Sequence, residues 1–169
     1  MSNQVQSNQN RSNQNQVKYV PAGTGPAYCG PGDRITFLIT GAETGGAFFL
    51  AEALVAPGGG PPPHIHTRED ESFYLQQGTL AVQVGGKTLN ASAGDFIHIP
   101  RGTVHSFKNV GEEPVKLLSL NTPAGMENFF AEALFPAADI ADIPQSHEAL
   151  IGRAMKAAAK CGLQLLPPA

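Results

Sequence analysis

The sequence predicts an all-β fold, a sandwich or barrel of short strands followed by C-terminal helices. From Val17 to about Thr122 the chain is a succession of brief runs rich in Val, Ile, Leu and Phe, each bounded by Gly, Pro, Asn or Asp clusters. Gly and Pro, at 19 and 14 residues, are frequent enough to close a tight turn after each run. After Asn121 the apolar period changes from that of a strand to that of a helix. At 169 residues the chain fits one domain whose core needs no disulfide or metal staple.

Residues 1 to 16 are nearly all Ser, Asn and Gln, with near-repeats Ser2-Asn3-Gln4 and Ser7-Asn8-Gln9. They lack the apolar side chains that offset ordering entropy and are expected to form a disordered tail. A barrel over residues 17–125 follows. Its expected strands are Ile35 to Thr40, Phe48 to Val55, a short His64 strand, Ser72 to Gln77, Leu80 to Val84, Phe96 to Ile99, His105 to Asn109 and Val115 to Asn121. Gly85-Gly86 between apolar alternations marks a hairpin. Pro61-Pro62-Pro63 cannot donate ladder hydrogen bonds, which places the His64 strand at a sheet edge. Phe48 to Val55 is apolar on both parities, so its inward face stays open. In the helical extension, residues 126–169, Met126, Phe129, Phe130, Ala133 and Leu134 share one stripe. A second helix starts after Ser146 as N-cap, with Leu150, Ile151, Ala154, Met155 and Ala158 as its apolar face and Gly162 past its end. Both helices are expected to pack on the barrel.

Composition excludes some classes of function. A net charge of −3 with scattered Lys and Arg offers nucleic acid no electrostatic footprint. No apolar run reaches membrane-span length and no signal sequence opens the chain, so a cytoplasmic location is the expectation. Cys29 and Cys161 lack CxxC spacing and read as reduced, partly buried thiols.

The chemistry concentrates in two glycine-bracketed stretches. In the first, Gly58 precedes His64-Ile65-His66, Glu71 and Gly78; in the second, Gly94 precedes Pro100, Gly102, His105 and Asn109. His64 and His66 are two residues apart on a strand and therefore share a face. Glu71 opens the next strand beyond a charged turn, and Pro100-Arg101-Gly102 returns the chain so that His105 faces inward. Three imidazoles and one carboxylate suit Fe(II), Mn(II), Ni(II), Co(II), Cu(II) or Zn(II), and the absence of thiolates argues against an Fe–S or structural zinc site. Glu69 and Asp70 compete with Glu71 as the carboxylate, but with Arg68 they read as a solvated turn. His98 and His147 fall outside the pattern and read as ordinary polar residues of the fold. Asn109 is expected to anchor backbone at a strand end.

These two stretches resemble the paired motifs of the cupins. The resemblance implies a double-stranded β-helix (jelly-roll) barrel, His64, His66, Glu71 and His105 as ligands of one divalent metal ion, and a homodimer. In Gly59 to Glu71, in Thr122-Pro123-Ala124-Gly125 and in the tail after Gly162, the chain is similar to single-domain quercetin 2,3-dioxygenase-like cupins. The Ser/Asn/Gln tail has no counterpart there, and the second motif pair of two-domain quercetinases and oxalate decarboxylases is missing. The narrower resemblance implies a metal-dependent dioxygenase taking dioxygen and a flavonol or related enolisable aromatic. In that reaction Glu71 is the general base and Phe73, Leu75 and Phe107 are walls of the substrate pocket. A non-catalytic metal-dependent binding or sensor cupin is the alternative, since this fold hosts many functions. A sugar-phosphate isomerase fits less well, because the expected inward positions are apolar rather than basic.

Overall fold

Period-two alternation builds strands that stack as two antiparallel sheets. The computed structural model describes residues 16–30, 32–137 and 147–166; the readings of residues 1–15 and of Ser146 as N-cap lie outside them. Along the chain come β1 (Ala27–Gly30), β2 (Asp33–Ile39), α1 (Gly41–Thr44), β3 (Phe49–Val55), β4 (His64–His66) and β5 (Asp70–Gln77). They are followed by β6 (Thr79–Val84), β7 (Lys87–Ser92), β8 (Phe96–Ile99), β9 (His105–Asn109) and β10 (Val115–Thr122). The chain then runs through α2 (Met126–Ala133), β11 (Phe135–Pro136), α3 (His147–Cys161) and β12 (Leu163–Leu165). One sheet has the order β11-β1-β2-β3-β10-β5-β8 and the other β12-β4-β9-β6-β7. The predicted jelly-roll is present, with open rather than closed sheets. β6 and β7 pair around Gly85-Gly86 as the hairpin signal predicted.

The core lies between the sheets and is built from alternate residues of each strand. In β3 the structure selects the odd parity: Phe49, Ala51, Ala53 and Val55 are buried, while Glu52 faces outward and pairs with Lys116 at 2.8 Å. The opposite choice would bury Glu52, which decides between two otherwise apolar faces. Asn109 at the end of β9 anchors backbone as expected. Its side-chain amide donates to the Val55 and Glu113 carbonyls, and its backbone exchanges hydrogen bonds with Gly58 and Gly59. The adjoining Gly60, at φ +135°, leaves no room for a Cβ, which would stand 2.1 Å from the Phe107 carbonyl oxygen. This close approach ties the loop before the histidine strand to β9.

The segment beyond residue 125 contributes more than helices. β11 pairs with β1 in one sheet, and β12 pairs with β4 in the other. The His64 strand is therefore not an edge as the proline run predicts; β12 covers its free side, Leu163 opposite His66 and Leu165 opposite His64. The backbone groups that the prolines left unpaired are satisfied from residues distant in sequence. Helix α2 turns Met126 and Ala133 into the interior and packs Phe129 and Phe130 against the core. Arg153 of α3 donates to the Glu132 and Leu134 carbonyls at 2.9 and 3.0 Å, satisfying the C-terminal end of α2.

The face of α3 differs from expectation. Leu150, Ala157, Ala158 and Cys161 are buried, whereas Ile151 and Met155 are 54% and 55% exposed. Small side chains let α3 approach α2 closely, and that requirement outweighs the larger hydrophobicity of Ile151 and Met155. Gly162, at φ +77°, ends the helix in the left-handed conformation as predicted. Cys29 and Cys161 are free and buried, and burial pushes both thiols upward in pKa.

Asp33 opens β2 with its Oδ1 sealed from solvent and without a hydrogen-bond partner among the described residues. Burial raises its carboxyl from the ordinary 3.8 to about 7. The folded chain keeps this proton where the unfolded chain has lost it, so this group's contribution to stability falls as pH rises from 3.8 to about 7. Asp33→Asn is therefore expected to be more stable than wild type by about 2 kcal/mol at pH 8, roughly half the full linkage value because the residue keeps some solvent contact. The advantage shrinks as pH falls towards 4; urea denaturation across that range checks it, and a gap independent of pH contradicts it.

Candidate metal centre

Strand alternation delivers His64 and His66 of β4 to the space between the sheets, as their spacing predicts. β9 runs antiparallel beside β4 with His105 directly opposite His64, and their rings lie 4.2 Å apart. Glu71 arrives from the facing sheet, on β5 between Ile99 of β8 and Asn121 of β10. The start of β5 is held by the adjacent Asp70, which accepts from the Arg101 backbone and from its guanidinium at 2.9 to 3.1 Å. The Arg101 hydrogen bonds lower the Asp70 carboxyl to about 2. That clamp joins the Pro100-Arg101-Gly102 turn, which precedes His105, to the strand that carries Glu71. One donor atom from each of His64, His66, Glu71 and His105 lies within 4.8 Å of the others, and all four residues are buried.

The hydrogen bonds around the cluster determine what it can hold. His64 Nδ1 lies 2.9 Å from the Pro62 carbonyl and His105 Nδ1 3.0 Å from that of Thr103. Carbonyl oxygens only accept, so both Nδ1 atoms carry hydrogen and both Nε2 lone pairs are left for the cluster. His105 Nε2 then stands 3.0 Å from Glu71 Oε2 and His66 Nε2 3.4 Å from it. Two lone-pair atoms at 3.0 Å require a cation between or upon them, a proton or a metal ion. His66 Nε2 has no hydrogen-bond partner among the described residues. Three nitrogens and one oxygen, each oriented by an outer hydrogen bond or left without one, fit a divalent transition ion.

Electrostatics divide the histidines. Burial, reinforced by His105, lowers His64 to about 4, the neutral form a metal requires. Burial also opposes charge on His66, yet Glu69 and Glu71 outweigh it and raise that imidazole to about 9. Burial likewise pushes the Glu71 carboxyl up, but His105 and His66 overcome it and hold it far below the usual carboxylate range. Glu71 is thus the anionic member of the cluster, and His66 is the imidazole whose positive charge its two neighbouring carboxylates most favour.

Of the three expected wall residues, Phe73 and Leu75 are fully buried in the core, on the same face of β5 as Glu71. Phe107, on the same face of β9 as His105, is half-buried and meets Phe73 edge-on with ring centroids 5.4 Å apart. His98 is exposed and stands apart from the cluster, its Nδ1 2.9 Å from Ser72 Oγ; the His147 side chain lies outside the described residues.

Two polar residues around the cluster carry no motif signal in the sequence. Ser119 Oγ and Asn121 Nδ2 donate to Glu71 Oε1 at 3.3 and 3.4 Å. The inward parity of β10 runs Val115, Leu117, Ser119, Asn121, so its change from apolar to polar towards one end was a readable sign of a polar cavity there. Glu69 corrects the reading of a solvated turn: it is 2% exposed, with Oε2 3.8 Å from His66 Nδ1. No local signal separates it from exposed Arg68, because the backbone that stands against it, at Gly125 before α2, is remote in sequence.

Residues 51–121 match the family model of the cupin domain. Over 100 residues the chain is 29% identical to quercetin 2,3-dioxygenase of Bacillus subtilis, a match covering 59% of this chain and 29% of that protein. It is 44% identical over 69 residues to germin-like protein 5-1 of Oryza sativa subsp. japonica, covering 38% and 31%. These matches span under a third of either relative's length. Among solved structures, polyketide cyclase RemF from Streptomyces resistomycificus superposes with a TM-score of 0.56 at 26% identity, covering 63% of this chain and 80% of that one. The sheets, the motif spacing and these matches agree: residues 51–121 form a cupin domain that resembles that of quercetin 2,3-dioxygenases.

Proposed function

We propose that this chain is a metal-dependent dioxygenase that opens the ring of a flavonol or a related enolisable aromatic. The observation that carries the proposal is the pair of buried lone-pair donors, His105 Nε2 and Glu71 Oε2, held 3.0 Å apart beside His66 Nε2, which has no partner. The likeness to quercetin 2,3-dioxygenases supports the choice of substrate class. One divalent ion (Fe, Mn, Ni, Co, Cu or Zn) held by His64, His66, Glu71 and His105 would supply the charge that stabilises a substrate enolate.

The remaining chemistry belongs to the protein. Glu71 takes the proton of the substrate's 3-hydroxyl and returns it to the product carboxylate. Ser119 and Asn121 donate to its Oε1 and orient the carboxylate for that exchange. Phe107, backed by Phe73 and Leu75, offers the aromatic substrate an apolar wall that excludes water. A cleft of about 430 Å³, lined by Pro63, Val84, Lys87, Val104, His105 and Leu166 among others, adjoins His105 and is not lined by Phe73, Leu75 or Phe107. Addition of dioxygen and ring opening release carbon monoxide and a depside.

The test is anaerobic loading with Fe, Mn, Co, Ni, Cu or Zn, followed by quercetin and oxygen. Loss of flavonol absorbance with one carbon monoxide per turnover is expected; no turnover with any of these metals overturns the proposal. The likeness to a polyketide cyclase favours a second reading, ring closure of an enolisable substrate in the same centre. Substrate loss without oxygen consumption distinguishes it.

A further inference from the structure

Glu69 is a buried carboxylate that the proposed reaction does not use. Its Oε2 and the Nδ1 of His66 are both sealed from solvent, and neither has another hydrogen-bond partner among the described residues. They face each other at 3.8 Å, so a movement of about 1 Å closes them to hydrogen-bond length. His64 and His105 turn their Nδ1 atoms to backbone carbonyls, whereas only His66 turns its own to a charged group.

The surroundings are shaped to keep the carboxylate there. Gly125 at the start of α2 has φ +152°, and a Cβ on it would stand 2.9 Å from Glu69 Oε1. Only glycine leaves this seat free. The turn that carries Glu69 is fastened to the C-terminal strand: Gly162 accepts from the Thr67 amide and hydroxyl at 2.9 and 2.7 Å, and Leu163 pairs with His66. Behind Glu69 is a cleft of about 270 Å³ lined by Arg68, Gly125, Asn128, Lys160 and Cys161 among others. A buried charge without a counter-charge is costly, and two carboxylates beside three neutral imidazoles balance one divalent cation.

We infer that Glu69 is a positioning residue for the metal centre, accepting a hydrogen bond from His66 Nδ1 so that Nε2 faces the ion, with its charge favouring a divalent metal. The inference rests on the reading of His64, His66, Glu71 and His105 as ligands. It makes the C-terminal unit, from α2 through β12, part of the metal-retaining structure, because that unit seats Glu69.

The test uses the full chain stripped with chelator and titrated with Co(II) against a chromophoric competitor, alongside the visible absorption spectrum of the saturated protein. Glu69→Ala is expected to weaken Co(II) about 10- to 100-fold and shift the ligand-field bands. Glu69→Gln, which retains an oxygen acceptor but no charge, falls between Glu69→Ala and wild type. A merely structural role changes thermal stability without moving the spectrum at saturating metal. Should Glu69→Ala fail to fold, the isosteric Glu69→Gln decides by the same readouts. Wild-type affinity and an unchanged spectrum in the folded variants overturn the role of Glu69 and leave the metal reading standing. A wild-type chain that takes up no Co(II) overturns both.

Discussion

Glu71→Gln is expected to lower flavonol turnover by about 10²- to 10⁴-fold while flavonol binding stays within a few-fold of wild type. The glutamine keeps the volume of the buried side chain and an oxygen facing Ser119 and Asn121, so the apolar wall and the three imidazoles stay in place. What it loses is the capacity to take the substrate proton at the atom between His66 and His105. An enolisable substrate then binds largely in its protonated form, which is less reactive towards dioxygen. Metal content must be measured on the same preparation, because Glu71 is also the sole carboxylate among the four donors. Anaerobic quercetin titration reports binding, and carbon monoxide release per bound metal reports turnover. Equal turnover in wild type and variant removes Glu71 as the base.

Phe73→Ala is expected to cost about 3–5 kcal/mol of folding stability. Phe73 is 1% exposed and lies on the buried face of β5, its ring edge-on to Phe107. Truncation forfeits the transfer free energy of a phenyl group and leaves a cavity between sheets whose backbones are held by hydrogen bonds and cannot collapse to fill it. The contrasting case is Phe96, 64% exposed on the edge strand β8, where Phe96→Ser should change stability by less than about 1 kcal/mol. Urea midpoints at unchanged m-value measure both. A loss below about 1 kcal/mol at Phe73 would show that the interior repacks and that the core beside the His/Glu cluster is softer than its burial implies.

Much of the site was legible before the structure because it depends on short-range geometry. His64 and His66 share a face through strand alternation alone, and the glycines and prolines between motifs mark where the chain reverses. The helix stripe of α2 and the glycine ending α3 follow from local periodicity and backbone preference in the same way. The exposed Ile151 and Met155 show where that reasoning stops: hydrophobicity names a stripe, but the neighbour's shape chooses which stripe is buried. Glu69 makes the same point for charge. Within a run of charged residues it is indistinguishable from Arg68 and Asp70, and its burial shows only in the folded chain, where Gly125 stands against it.

The chain's amino-acid order alone therefore determined the all-β class, most strand positions and the set of three histidines and a glutamate, since each rests on contacts within a few residues. Tertiary structure alone decided which face of β3 is buried, that β12 covers the His64 strand, that Ser119 and Asn121 hold Glu71, and that Glu69 stands behind His66. These four depend on elements remote in sequence, and burial and pairing between such elements are set by how the sheets and helices close on one another. The four clustered side chains were written locally; the environment that orients them was assembled at long range.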